Sequence, residues 1–213
     1  MDEIGPSRRS GSADARSSTS SKAALRRDIL AQRGRRTPEA RADDDAHRTA
    51  AVVAWLTSRP EVNTVACYLA VGDEPGTSAL IAWLWDRGAR VLAPALRRDD
   101  AGVWHPDWAT VTPASPLRRT GGLVEVDGPS LGAGALAEAD VILAPGLAGS
   151  RRGDRLGRGA GWYDRALDHR RPDAPVCLLL NDDEVVDSLP ASPYDQPVQA
   201  LALPSGVIPV DGA

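Results

Sequence analysis

The apolar run Val141-Ile142-Leu143-Ala144 opens directly into Pro145-Gly146-Leu147-Ala148-Gly149-Ser150-Arg151-Arg152-Gly153-Asp154-Arg155-Leu156-Gly157-Arg158-Gly159-Ala160-Gly161-Trp162-Tyr163-Asp164-Arg165. The run is short and reads as a buried strand, and the segment after the loop can form a helix. Strand, glycine-rich loop and helix in that order are a unit of an α/β fold. Gly153, Gly157, Gly159 and Gly161 stand among five arginines. Glycines let backbone amides come close to a ligand. Amides at a helix start, backed by guanidinium forks, suit phosphate. Asp164 follows where a cation accompanying those phosphates would sit. The loop lacks the Gly-Lys-Ser/Thr of a P-loop, and its glycine spacing is not the dinucleotide fingerprint.

The rest of the chain supplies the expected partners of that unit. Residues 1–20 are rich in Ser, Gly, Arg and Asp and read as a disordered tail. From Ser21 a helical pattern places Leu25, Ile29 and Leu30 on one face, with Ser20 or Ser21 as cap and Gly34 as stop. A second helix runs from Thr37-Pro38-Glu39 to about Ser58. Val62–Ala70 reads as a strand, Gly72–Gly76 as a turn, Thr77–Arg87 as a helix and Arg90–Leu96 as a strand. Trp104–Thr112 is ambiguous, with an edge hairpin as one reading. A helix over Gly161–Arg170 and strands over Pro175–Leu180 and Val198–Leu203 complete the chain. Alternation of this kind gives a single α/β domain over residues 21–213, a mainly parallel sheet with helices on both faces in three layers. Ligands of such sheets bind beyond the strands' carboxyl ends, here the loops 71–77, 94–98 and 145–161.

Charge and composition narrow the function. The 213 residues are 42% hydrophobic with a net charge of −4. Residues 1–36 carry nine basic and four acidic side chains, so the remainder is more acidic still. That balance argues against nucleic acid as a partner. No apolar stretch reaches membrane-spanning length and no signal peptide opens the chain, and Cys67 and Cys177 lie in apolar runs, so a soluble, reducing, cytoplasmic setting is expected. Lys22 is the only lysine against 24 arginines. Either it survives by chance or it marks a place where a compact ammonium is needed. Glu74 and Asp195 are anonymous alone, but two separated carboxylates beside a polyphosphate are what Mg²⁺ uses. His47, His105 and His169 have no metal-ligand spacing.

Together these residues resemble the 5-formyltetrahydrofolate cyclo-ligase family, also called 5,10-methenyltetrahydrofolate synthetases. The resemblance rests on Pro145-Gly146-Leu147-Ala148 followed by Gly153-x-Arg155-Leu156-Gly157-Arg158-Gly159-x-Gly161-Trp162-Tyr163-Asp164, close to the family's PGLAFD…GxRLGxGxGYYD signature. Lys22-x-x-x-Arg26, Tyr68-Leu69, Asp73-Glu74-x-x-Thr77, Val91-Leu92-Ala93-Pro94, Leu189-Pro190 and Tyr194-Asp195 match in order. The resemblance implies a cyclo-ligase or sugar-phosphate-isomerase-like fold. It implies ATP- and Mg²⁺-dependent closure of 5-formyltetrahydrofolate to 5,10-methenyltetrahydrofolate, with release of ADP and phosphate. It places ATP against Lys22, Arg26, Arg155, Leu156, Gly157, Arg158, Gly159, Ala160, Gly161, Trp162 and Tyr163. Folate is placed against Leu69, Glu74, Arg158 and Trp162, and Mg²⁺ at Asp164 and Asp195. Arg158 and Lys22 are the expected catalytic residues, and a monomer taking only small-molecule partners is expected. Departures are Gly149-Ser150 for Phe-Asp, Ala160 for Lys or Gly, Trp162 for the first Tyr, and Tyr194 for His. The first and last motivate a second reading, a folate- or nucleotide-binding relative without turnover. A sugar-phosphate isomerase is a third.

Overall fold

The computed structural model of the chain describes residues 11–98, 100–120, 123–190 and 195–211. Its centre is a seven-stranded sheet. In chain order the sheet strands are β1 (Thr64–Cys67), β2 (Arg90–Arg98), β3 (Trp104–Val111), β6 (Val141–Pro145), β9 (Val176–Leu179), β11 (Ala200–Leu203) and β12 (Gly206–Pro209), and their spatial order is β12-β11-β9-β6-β1-β2-β3. The five inner strands run parallel, and β12 and β3 close the two edges antiparallel. The ambiguous Trp104 segment is thus an edge strand, paired along its full length with β2. That pairing carries β2 on to Arg98, so the expected loop at 94–98 is a strand.

Because side chains alternate across a strand, each inner strand feeds two cores. Val65, Cys67, Val91, Ala93, Leu143, Cys177 and Leu179 face one way, onto α2 (Pro38–Thr57) and α3 (Ser78–Asp86). Ala66, Leu92, Ile142, Ala144, Val176 and Leu178 face the other, onto α4 (Trp162–Leu167) and the 3-10 turn Ala133–Glu138. Helix α2 starts where Thr37 Oγ1 accepts a bond from Ala40 N at 3.2 Å with Pro38 in the first turn, and it buries Val52 and Leu56. Helix α3 buries Leu80, Ile81 and Leu84. The outcome is the expected three-layer α/β domain.

A small second sheet carries the loop that follows β6. It comprises β7 (Ala148–Ser150), β8 (Arg155–Leu156) and β10 (Val185–Val186), in the order β10-β7-β8. Helix α1 (Gly11–Arg35) lies against it, with Ile29 packed on Leu147, Ala148, Leu156 and Leu189. In the chain between β3 and β6, β4 (Leu117–Thr120) and β5 (Leu123–Val126) form a separate hairpin, with β5 beside β2.

Helix α1 begins ten residues before Ser21, so Ser20 and Ser21 lie inside it and not at its start. No Gly or Pro interrupts residues 12–33, and an existing helix extends at little cost through such a stretch. Residues 1–10 and Tyr194 lie outside the described residues. At its other end α1 runs through Gly34 to Arg35.

Candidate functional site

Strand β1 pairs with β2 on one side and β6 on the other, so the direction of strand succession reverses between β1 and β6. A crevice opens at the carboxyl ends of the strands at such a reversal. Its two walls are the loops leaving those strands, residues 68–77 after β1 and the glycine-arginine loop after β6. Both were singled out in the sequence.

The first wall is held rigidly. Tyr68 Oη donates to Pro75 O at 2.6 Å, and Thr77 Oγ1 donates to Tyr68 O at 2.9 Å. Gly76 N donates to Asp45 Oδ1 at 2.8 Å, and Arg41 pairs with Asp73. These bonds present Glu74, whose Oε2 accepts from Val71 N at 3.0 Å. Its other oxygen takes Arg158 Nε from the second wall at 3.0 Å. The guanidinium is half exposed and the carboxylate only 7% so. Glu74 and Arg158 thus meet across the crevice.

In the second wall Gly159 and Gly161 have φ of 102° and 63°, the left-handed region that favours glycine. Arg155 turns inward to pair with Asp164, and Tyr163 lies under its guanidinium, 5.8 Å from the ring centre. Leu156 is buried against α1, so only its backbone faces the loop. Helix α4 has six residues, short of the expected Gly161–Arg170, and its dipole is correspondingly slight. The arginines and loop amides carry the positive character here. Ala160 is exposed, and its carbonyl accepts from Arg165 Nη1 at 3.3 Å.

Trp162 is 8% exposed and packs edge-on against Trp108 at 5.5 Å and Tyr163 at 4.9 Å. It belongs to the core below the loop. Tyr163 touches both main cores, and Leu69 is half-buried against the α2 side. Trp108 Nε1, Trp162 Nε1, Tyr163 Oη and Arg155 Nε are buried without a hydrogen-bond partner. Such atoms ordinarily have partners, and these four sit in one chain of touching groups beneath the crevice. Burial, reinforced by Cys67 and Glu74 and opposed by Arg155, raises the Tyr163 phenol well above its ordinary pKa, so it stays protonated.

The roof is α1. Lys22 Nζ meets Asp195 Oδ2 at 2.7 Å, and Arg26 Nε donates to Gly157 O at 2.9 Å. Three predicted cationic groups, on Arg26, Arg155 and Arg158, therefore gather at one glycine loop, and Lys22 lies on the same helical face as Arg26, where it meets Asp195. Among the described residues no group of three or more His, Cys, Asp or Glu could hold a metal ion. Asp164 and Asp195 are hard-oxygen donors, partly exposed, each beside a cation. That donor set suits an ion that keeps waters and takes most ligands from phosphate. At the departure from the signature, Ser150 Oγ donates to Asp154 Oδ2 at 2.6 Å and accepts from the amides of Arg152 and Asp154. A carboxylate is thus present in the loop, four residues later.

Sequence reasoning missed a buried polar chain behind the roof. Arg33 forks onto Glu184 at 2.6 and 2.7 Å, and Arg33 also bonds Gly146 O at 2.7 Å. Asn181 holds Glu184 through its amide and side chain, and Arg48 holds Asn181 at 2.7 Å. Burial opposes the charge on Arg33, but Glu184 outweighs it and the guanidinium pKa is raised. The available signal was spacing: Lys22, Arg26, Ile29 and Arg33 share one helical face.

Fold and crevice together define an α/β protein with a cationic site at the strand switch point. The 5-formyltetrahydrofolate cyclo-ligase family matches residues 18–204. A 5-formyltetrahydrofolate cyclo-ligase of Mycolicibacterium smegmatis is 44% identical over 177 residues, 82% of this chain and 89% of that one. One of Escherichia coli is 32% identical over 169 residues, 74% of this chain and 87% of that one. The 5,10-methenyltetrahydrofolate synthetase of Aquifex aeolicus superposes with a TM-score of 0.71 at 25% identity, covering 90% of this chain and 94% of that one. The Mycoplasma pneumoniae synthetase shares the fold, with a TM-score of 0.68 at 21% identity, covering 85% and 97%. The chain belongs to the 5-formyltetrahydrofolate cyclo-ligase family, a family of enzymes.

Proposed function

We propose that this protein closes 5-formyltetrahydrofolate to 5,10-methenyltetrahydrofolate at the expense of ATP, releasing ADP and phosphate. The observation that carries the reading is the gathering of Arg26, Arg155 and Arg158 at one glycine loop, with Lys22 on the same helical face as Arg26 and Glu74 meeting Arg158 across the switch-point crevice. The formyl oxygen attacks the γ-phosphorus and ADP leaves, giving a phosphorylated imidate. N10 then attacks the activated carbon, loses its proton, and phosphate departs with the former formyl oxygen. An amide oxygen is a poor leaving group and phosphate a good one. The protein's task is therefore to position two ligands and neutralise charge, without a side-chain nucleophile.

Lys22 and Arg26 hold the triphosphate from the roof, and residues Arg155–Tyr163 wrap it from the loop. Arg158 stands between phosphate and folate, and Glu74 accepts hydrogen bonds from the pterin, with Leu69 beside it. Trp162 supports these contacts from below through its ring edge. Mg²⁺ supplies charge neutralisation at the phosphates, and Asp164 and Asp195 are the residues that would hold it. The setting is cytoplasmic and the protein a monomer acting on small molecules. No helix among the described residues is long and apolar enough to cross a membrane.

The test mixes protein, 5-formyltetrahydrofolate and Mg·ATP and follows the near-ultraviolet absorbance of the methenyl product. Product formation is expected, with Lys22→Ala and Arg158→Ala each lowering kcat/KM by about 100-fold or more, as for loss of a preorganised charge contact. No product while both ligands bind would establish the relative without turnover. Binding of neither would sink both readings.

A further inference from the structure

The face of α1 that roofs the crevice reads Lys22, Arg26, Ile29, Arg33, and each contacts a different part of the loop system below. Lys22 meets Asp195, Arg26 meets Gly157, Ile29 packs on the small sheet, and Arg33 meets Gly146 and Glu184. Arg33 and Glu184 are 1% and 2% exposed. Glu184 is immobilised in turn by two bonds from Asn181, and Asn181 by Arg48 of α2. Arg48 also bonds Leu180 O at 2.9 Å and Asp45 at 2.6 Å, and Asp45 receives Gly76 N from the loop that presents Glu74. One continuous chain of bonds therefore joins the roof, the second wall at Gly146, and the first wall at Gly76.

We propose that Arg33 and Glu184 form the positioning device of the site, fixing the register of α1 so that Lys22 and Arg26 reach the ATP phosphates. The inference rests on the phosphate roles proposed above. A buried ion pair is poorly suited to adding stability, since an apolar pair of the same volume often does as well. A fork with three fixed bonds supplies a single rotation and axial position, whereas an apolar contact such as Ile29's tolerates sliding. The lever is long. Arg33 lies eleven residues from Lys22, about 16 Å along the helix axis. A tilt of about 10° at the anchor moves Lys22 by roughly 3 Å, enough to lose a hydrogen bond. Arg33 acts through Lys22 and Arg26; it is a positioning residue and not a catalytic one.

The experiment measures Kd for Mg·ATP and for 5-formyltetrahydrofolate by calorimetry on the full chain, with Tm for each variant. Arg33→Lys keeps the charge and loses the fork, and Glu184→Gln is the gentler second variant should the first fail to fold. The expected result is a Kd for Mg·ATP raised about tenfold by Arg33→Lys and about threefold by Glu184→Gln, with the folate Kd within twofold of the parent. In a Lys22→Ala/Arg26→Ala background, Arg33→Lys should lose its effect on ATP. A lowered Tm with unchanged ATP affinity would overturn the proposal and leave a purely structural anchor. So would an undiminished ATP effect of Arg33→Lys in the Lys22→Ala/Arg26→Ala background. If Lys22→Ala and Arg26→Ala themselves leave ATP affinity untouched, the phosphate reading fails and takes the proposal with it.

Discussion

Gly149 occupies the position where the family signature carries an aromatic, and its replacement by alanine tests how the space was reassigned. Its φ is not positive, so a methyl group meets no backbone objection. On conformational grounds alone Gly149→Ala would stabilise the protein by about 0.4–1 kcal/mol, through the unfolded chain. Packing opposes this. A Cβ at 149 would lie 2.7 Å from Leu178 Cδ2 and 3.1 Å from both Leu180 Cδ1 and Leu201 Cδ2. All three leucines are fully buried, so none can swing into solvent to make room. Overfilling a packed core costs about 1–3 kcal/mol. The net expectation is a loss of about 1–2 kcal/mol, or a Tm lower by roughly 2–8 °C for a chain of this size. Urea denaturation should show a lower midpoint with an unchanged slope. Leu178 also lies 2.7 Å from where a Cβ at Gly146 would stand, so it fills the space beside both glycines. Leu178→Ala costs about 2–5 kcal/mol on its own, and in that background Gly149→Ala should become neutral or stabilising. A Gly149→Ala protein as stable as the parent, or losses that simply add, would refute the claim that these leucines fill the space beside Gly149.

Two further outcomes follow from titratable groups, one partly exposed and one pair buried. Asp140 accepts from Asn63 N and Thr64 N at 2.8 and 2.9 Å and from Arg171 at 3.2 Å; burial opposes its charge, but these bonds prevail and its pKa falls below 3.8. The stability it contributes is fully present above 3.8 and lost as pH falls through the lower folded value. Asp140→Asn should therefore cost about 1.5–3 kcal/mol at pH 7, with the gap to the parent narrowing at pH 3; a constant gap in urea titrations would contradict this. Burial pushes the Cys177 thiol up to about 12, against a small opposing effect of Arg59, and the Cys67 thiol higher still. Because the thiolate is the reactive form, neither should react with a thiol reagent at pH 8 until urea unfolds the chain, and rapid labelling of either in the native protein would show the core to be open.

Where the sequence carried a period, the fold was legible. Thr37-Pro38, the apolar stripe of α3 and the apolar runs of β1, β6, β9 and β11 each declare themselves within a few residues. The elements that were not legible owe their form to partners distant in sequence. Strand β7 contains Gly149 and Ser150, neither a strand former, and exists because β8 and β10 pair with it. Strand β10 is two residues long and is defined by that same pairing. The start of α1 was misplaced for the opposite reason. A polar segment without an apolar face carries no sign of whether it will extend a helix that already exists.

The same division governs the site. Glycine spacing, clustered arginines and a lone lysine are local facts, so the loop and its roof could be named from the sequence. The resemblance placed Trp162 against the ligands, and its place in the core was hidden because its neighbour Trp108 comes from an edge strand 54 residues earlier. Arg33 and Glu184 were invisible because they are 151 residues apart, and an arginine in an arginine-rich helix looks like surface. What distinguishes Arg33 is being one helical face with Lys22 and Arg26 while being wholly buried. A charge is carried into a protein interior at a cost of several kcal/mol, and here its partners are Gly146 of the second wall and Glu184 behind it. The site is thus defined less by which cations face the crevice than by the buried pair that holds two of them there.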